Sequence, residues 1–162
     1  MIYVFLADGF EETEAIAPID MLRRAKLDVK LVGIGTSTPT SSHGIRVTAD
    51  LTEAETKLDS SVQLIVLPGG MPGTLNLEKS PVVQSAIKYC VEKGIPVGAI
   101  CAAPSILGKL GLLNGRKAVC FPGFEQYLTG AEVLNKLCVT DGQFTTACGV
   151  GAAIEFGLEL VK

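Results

Sequence analysis

Cys101 lies in "GAICAAPSIL" (98–107), between a short apolar run and a helix-like stretch, with Ala99 and Ala103 two residues away on either side. Small residues there let strand and helix approach closely, the small-x-nucleophile-x-small pattern of a nucleophile elbow. A thiol at a helix N-terminus is favoured as thiolate by unpaired N–H groups and the helix dipole, which predicts a lowered pKa. Pro104 suits the first turn of that helix, where its missing N–H costs nothing. Two readings stand at this point: a nucleophile, or a buried packing thiol, as free cysteines often are.

Two further stretches bear on the choice. "PGGMPG" (68–73) places Gly69 and Gly70 after an apolar strand, where glycine permits close backbone approach and positive φ. The N–H groups of Gly70 and Ala102 would together form an oxyanion hole; a plain Gly-rich turn is the alternative. "DGFEETE" (8–14) crowds Asp8, Glu11, Glu12 and Glu14 together, and helix N-terminal charge complementarity accounts for most of them. Glu14 lies one turn into the helix, from where it can reach the elbow. A carboxyl buried beside a thiolate has a raised pKa from desolvation and like charge, so it can hold a proton for the sulfur.

The only histidine, His43, is upstream in a polar loop and reads as a loop residue. A Cys-His-Glu triad of the class I glutamine amidotransferase type needs a histidine downstream, and a peptidase-type site needs one directly after the cysteine, where Ala102 stands. Both chemistries are disfavoured. The five cysteines, Cys90, Cys101, Cys120, Cys138 and Cys148, are odd in number and lack CxxC spacing, which argues against a disulfide framework and a zinc site.

The elements that must position these residues follow from periodicity. "IYVFLA" (2–7), "DVKLVGIG" (28–35), "QLIVLPGG" (63–70) and "PVGAIC" (96–101) predict strands. Helices are predicted over 11–27, with Ile16, Ile19, Leu22 and Ala25 on one face, over 81–94 ending at Gly94, from about Ala102, and over 149–162. "GIRVTADLT" (44–52) predicts an edge hairpin, 117–148 short strands and turns, and "GTSTPTSSHG" (35–44) a flexible polar loop. The final helix reaches the last residue without a stop signal, as it would with a further tail beyond it. Strands this uniformly apolar are buried on both faces, so the alternation predicts an α/β sandwich around a mostly parallel sheet, in one domain over 1–162. Ligands then sit beyond the carboxyl ends of the strands.

Of the 162 residues 48% are apolar and 19% charged, with a net charge of −3, enough for a real core and too little clustered positive charge for nucleic acid as main partner. No apolar run approaches a membrane span, and the N-terminus has neither a basic n-region nor a small-residue cleavage site, which points to the cytoplasm.

Taken together, "FLADGFEETEAIAPIDMLRRA" (5–25), "LIVLPGGMPGTLNL" (64–77), "VGAICAAPSILGKLGLLNGRKA" (97–118) and "TACGVGAAIEFGLELV" (146–161) resemble the ThiJ/PfpI superfamily, in the branch of the parkinsonism-associated deglycase and its bacterial relatives. The resemblance implies a flavodoxin-like (class I glutamine amidotransferase-like) three-layer sandwich, no cofactor, no metal, and a homodimer with the first helix, including Arg23 and Arg24, near its interface. It makes Cys101 the reactive cysteine, Glu14 its carboxylic acid, and Gly70 and Ala102 the backbone donors. Gly69, Cys120, Phe121, Cys148 and His43 become pocket residues. The chain departs from many relatives in having Phe121 where they have a histidine, and Cys148 and His43 where some have arginines.

The resemblance implies a glyoxalase III or deglycase-like activity on methylglyoxal, glyoxal or their early adducts, through a Cys101 thiolate and a Glu14 proton shuttle. The alternative is a redox-sensing, stress-linked protein whose Cys101 is oxidised, with Cys120 and Cys148 as resolving thiols or simply packed ones. A thiamine-pathway role is disfavoured by the lack of a basic cluster.

Overall fold

The computed structural model describes all of residues 1–162. A seven-stranded sheet holds β1 (Ile2–Ala7), β2 (Val29–Ile34), β3 (Leu51–Thr52), β4 (Leu64–Leu67), β5 (Val97–Ile100), β8 (Cys138–Asp141) and β9 (Phe144–Ala147) in the order β3-β2-β1-β4-β5-β9-β8. All neighbours run parallel except β8, which pairs antiparallel with β9 at the edge. A separate pair joins β6 (Lys117–Ala118) to β7 (Glu132–Val133).

Strand alternation divides the core in two. Tyr3, Phe5 and Ala7 of β1 pack with Val83, Ala86 and Ile87 of α3 (Pro81–Lys93) and with Ile106 and Leu107 of α4 (Pro104–Lys109). Ile2, Val4 and Leu6 pack on the opposite face, against Ala15, Ile19 and Leu22 of α1 (Glu12–Arg24) and Phe156 of α5 (Ala153–Val161). Successive side chains of a strand point to opposite faces, so six consecutive apolar residues require helices on both sides. This is the α/β sandwich that the strand pattern predicts, in the flavodoxin-like form that the resemblance implies. The remaining helix, α2 (Gly73–Lys79), follows β4 directly.

Local chemistry sets the helix ends. The Ser80 hydroxyl accepts a hydrogen bond from Val83 N–H before Pro81 opens α3, and Gly94 ends that helix at φ 67°. Glu11 caps α1 by accepting from Glu14 N–H at 2.7 Å.

Three expectations need correcting. The inward stripe of α1 is Ala15, Pro18, Ile19 and Leu22, a helical i, i+3, i+4, i+7 set, leaving Ile16 41% exposed and Ala25 at the surface. Residues 44–52 form no hairpin among themselves; residues 45–49 run antiparallel beside 37–41, with Ser41 N–H donating to Ile45 O, Val47 N–H to Pro39 O and Ala49 N–H to Ser37 O. Thr40 and Arg46 share a single bridge, and Leu51–Thr52 pairs parallel to β2. The helix after Cys101 begins at Pro104, because Cys101–Ala103 form a turn. Residues 117–148 form the expected short strands and turns, among which β9 is fully buried between β5 and β8, its place set by partners rather than by its own polar threonines.

Candidate active site

The chain order places β1 between β2 and β4, so the connections leave β1 and β4 in opposite directions and open a crevice at the strands' carboxyl ends. Three loops meet there: Asp8–Glu11 after β1, Pro68–Pro72 after β4 and Cys101–Ala103 after β5. Glu11 N–H donates to Gly69 O at 2.9 Å and Gly73 N–H to Gly9 O at 3.1 Å, which ties the first two together.

Cys101 has φ 65°, a left-handed backbone that a β-carbon-bearing residue adopts at a cost of about 1–2 kcal/mol. The turn is held on all sides. Cys101 N–H donates to Ala147 O at 2.9 Å, Ala103 N–H to Ile100 O at 3.0 Å, and Phe121 N–H to Cys101 O at 2.8 Å. The Ser105 hydroxyl, itself buried, donates to Ala102 O at 2.6 Å. This is the strained strand-to-helix elbow that the flanking alanines predicted.

Glu14 is 1% exposed. Burial pushes its carboxyl up to about 7, and the charge of Glu11 adds to the rise. The Cys101 thiol and the N–H groups of Gly69 and Val150 pull it down without outweighing desolvation. Glu14 Oε2 makes no well-formed hydrogen bond within the protein, so it retains capacity for a proton or a ligand. Gly69 allows this arrangement. A Cβ there would collide with Glu14 Oε2 and sit 2.6 Å from Cys101 Cβ and 2.9 Å from Ile100 O.

The thiol moves opposite to the expected direction. Burial, then the Glu14 charge and the Glu14 hydrogen bond, push Cys101 up to about 12. The Ala102 and Gly70 N–H groups act the other way. The helix-terminus argument fails because α4 has only six residues and starts three residues past the sulfur. Both contributions of Glu14 belong to its ionised form, however. When Glu14 holds a proton they vanish, its O–H becomes a donor, and burial alone opposes two N–H groups. Carboxyl and thiol therefore behave as one pair that shares a proton.

The Gly70 and Ala102 N–H groups donate to no backbone carbonyl, and both act on the sulfur. Gly70 has φ 91° and lies so close to Glu11 and Gly9 that no side chain fits. The two donors converge on the Cys101 sulfur.

The remaining pocket residues divide. Phe121 joins the site: a Cβ on Gly149 would meet Phe121 Cδ2 at 3.3 Å and Glu14 Oε1 at 3.7 Å, so ring and carboxyl flank one spot. His43 does not join it. Its exposed ring pairs with Glu12, Nδ1 to Oε1 at 2.8 Å, because the 41–45 turn docks on the start of α1. Glu11, Glu12 and His43 are the one group whose donor atoms cluster as a metal's would, within 4.8 Å, and this ion pair accounts for the clustering. Cys120 and Cys148 line a neighbouring groove of about 560 Å³ together with Glu125 and Leu137; Cys101 is not on its wall. Arg23 and Arg24 pair with Asp50 and Asp20. Gly149 and Val150 were missed in the sequence, where "GVG" reads as the start of a helix; Gly149 instead carries φ 153° at the site.

Comparison with known proteins agrees with this geometry. The chain matches the DJ-1/PfpI family over residues 1–162. It is 39% identical over 165 residues to protein DJ-1 homolog B of Arabidopsis thaliana, covering 99% of this chain and 37% of that longer protein. It is 32% identical over 154 residues to the glutathione-independent glyoxalase DJR-1.2 of Caenorhabditis elegans, covering 94% of this chain and 81% of that one. A crystal structure of a DJ-1 superfamily protein from Salmonella typhimurium, a cysteine-to-alanine mutant, superimposes with a TM-score of 0.92 at 33% identity, covering 99% of this chain and 87% of that chain. A match over the entire length, joined to a strained cysteine elbow with a buried carboxylic acid beside it, makes this chain a member of the DJ-1/PfpI family.

Proposed function

We propose that this protein is a cofactor-independent glyoxalase III or deglycase-like enzyme acting on methylglyoxal, glyoxal or their early adducts. The observation that carries the reading is the pairing of Cys101 with a buried, proton-retaining Glu14 beneath two uncommitted N–H groups. The name of the Caenorhabditis elegans relative supports turnover over an oxidation-sensing role, which would use the same thiol.

The chemistry needs no further side chain. The Cys101 thiolate attacks the aldehyde carbon of methylglyoxal, and the carbonyl electron pair moves onto oxygen beneath the Gly70 and Ala102 N–H groups. Glu14 gives its proton to that oxygen, forming a hemithioacetal. The resulting Glu14 carboxylate removes the proton on the former aldehyde carbon and passes it to the ketone oxygen, giving an enediol. It then takes the hydroxyl proton from the former aldehyde oxygen, whose electron pair re-forms a carbonyl, and delivers that proton to the neighbouring carbon. The product is a lactoyl thioester, which water hydrolyses to lactate and free Cys101. One carbon is oxidised and its neighbour reduced, so no external electron carrier enters. A carboxyl with a pKa near 7 suits both directions of this shuttle.

The reading includes a homodimer through the first helix, supported by Ile16 and, on the adjoining α5, by the exposed Ile154 and Leu158. It also includes a cytoplasmic location; no helix is long and apolar enough to cross a membrane. Lactate release from methylglyoxal tests the activity. Wild type is expected to turn over, Cys101→Ser to be inactive, and Glu14→Gln to lose at least about a hundredfold. Full lactate formation by either variant overturns the mechanism.

A further inference from the structure

We propose that Phe121 is the specificity-determining wall of this site, selecting neutral α-oxoaldehydes whose substituent is apolar, and aryl above all. The inference rests on the glyoxalase-like reading of Cys101 and Glu14. Phe121 is fixed to the nucleophile itself, its N–H donating to Cys101 O at 2.8 Å. Its ring and Glu14 Oε1 flank the same point beside Gly149. The ring is nonetheless 46% exposed, so one side rests on the site and the other is open to what enters.

The surface continues outward from there. Phe124 lies 6.5 Å from the Phe121 centroid, edge-on at 74°, and Tyr127 lies 5.8 Å beyond. The three rings form a continuous aromatic surface that starts at the Cys101 turn. An aryl substituent placed on it gains offset or edge-to-face contact, which a small hydrated aldehyde does not.

Charge points the same way. The charged groups acting on Glu14 and Cys101 are each other and Glu11, all acidic. No cation acts on either group, and His43 pairs with Glu12, Arg23 with Asp50, Arg24 with Asp20 and Lys109 with Glu78. An anionic substituent would meet carboxylates without a counter-charge, whereas a neutral apolar one meets a ring.

The test compares kcat/KM for phenylglyoxal and glyoxal in wild type, Phe121→Ala and Phe121→Tyr. The ratio is expected to fall about tenfold in Phe121→Ala, mainly through a raised KM for phenylglyoxal, and to recover in Phe121→Tyr. Equal losses for both substrates, or no change in the ratio, overturn the proposal. A second readout needs only the thiol. Alkylation of Cys101 by phenacyl chloride and by chloroacetone is followed by intact mass, with free cysteine as reference. Wild type is expected to favour the aryl reagent about fivefold more than free cysteine does, and Phe121→Ala to lose that preference. A wild-type preference equal to that of free cysteine overturns the proposal. Absent turnover with the alkylation preference intact overturns the glyoxalase reading alone.

Discussion

Glu14 and Cys101 face each other across Gly69, whose missing side chain leaves the space in which carboxyl and thiol act on one another. Each member of the pair has a pKa that reflects the other's protonation state. This relationship governs both stability and reactivity.

Stability should fall with rising pH because of Glu14. Folding raises its pKa from 4.5 to about 7, so the folded state binds this proton more tightly than the unfolded chain does. The contribution is full below pH 4.5 and is lost as pH rises through about 7. At pH 8 it disfavours folding by up to about 3 kcal/mol, and Glu14→Gln removes it. Urea unfolding should find the variant more stable than wild type at pH 8 and similar at pH 4. Equal stability at both values would contradict the burial argument.

Reactivity should rise through the same range. The form that attacks carries one proton on the pair, with sulfur ionised and Glu14 neutral, and it becomes populated as the first proton leaves near pH 7. Iodoacetamide alkylation of Cys101 is expected to show an inflection there in wild type. In Glu14→Gln that inflection should be missing; its persistence would assign it to another group.

Gly69→Ala should damage the site more than the fold. The added methyl meets Glu14 Oε2, and backing away brings it onto Ile100 O and Cys101 Cβ. Turnover is expected to drop at least about tenfold from misplacement of a catalytic group. Wild-type kcat would show that the Cys101–Glu14 geometry is unimportant.

Thr146→Val tests the support behind Phe121. The Thr146 hydroxyl accepts from Val119 N–H at 3.0 Å in the buried core, two residues before Phe121. The isosteric change leaves that N–H unpaired and should cost about 1–3 kcal/mol. Thermal unfolding checks it; an unchanged transition means the N–H finds another acceptor.

His43→Ala should leave turnover within about twofold, since an exposed pair with Glu12 contributes little. A tenfold loss would return His43 to the site.

The sequence by itself determined the strands β1, β2, β4 and β5, the helix Pro81–Lys93 with its Gly94 end, the elbow at Cys101 and the Gly69–Gly70 turn. These features are written in short-range sterics and in hydrophobic period, which a few neighbouring residues encode. It also identified Glu14 as the carboxyl to watch, because a position one turn into a helix fixes direction.

Tertiary structure decided the rest. Whether the thiol's pKa rises or falls depends on how much water the surrounding elements exclude and on where the Glu14 carboxylate, 87 residues away in the chain, ends up, and neither is local. The same holds for β9, a polar sequence made a core strand by β5 and β8, and for His43, drawn to Glu12 by the docking of one turn on another. Phe121 gives the clearest case: the family resemblance put it in the pocket, but the packing of its turn against Gly149 is what sets the ring beside the Cys101–Glu14 pair.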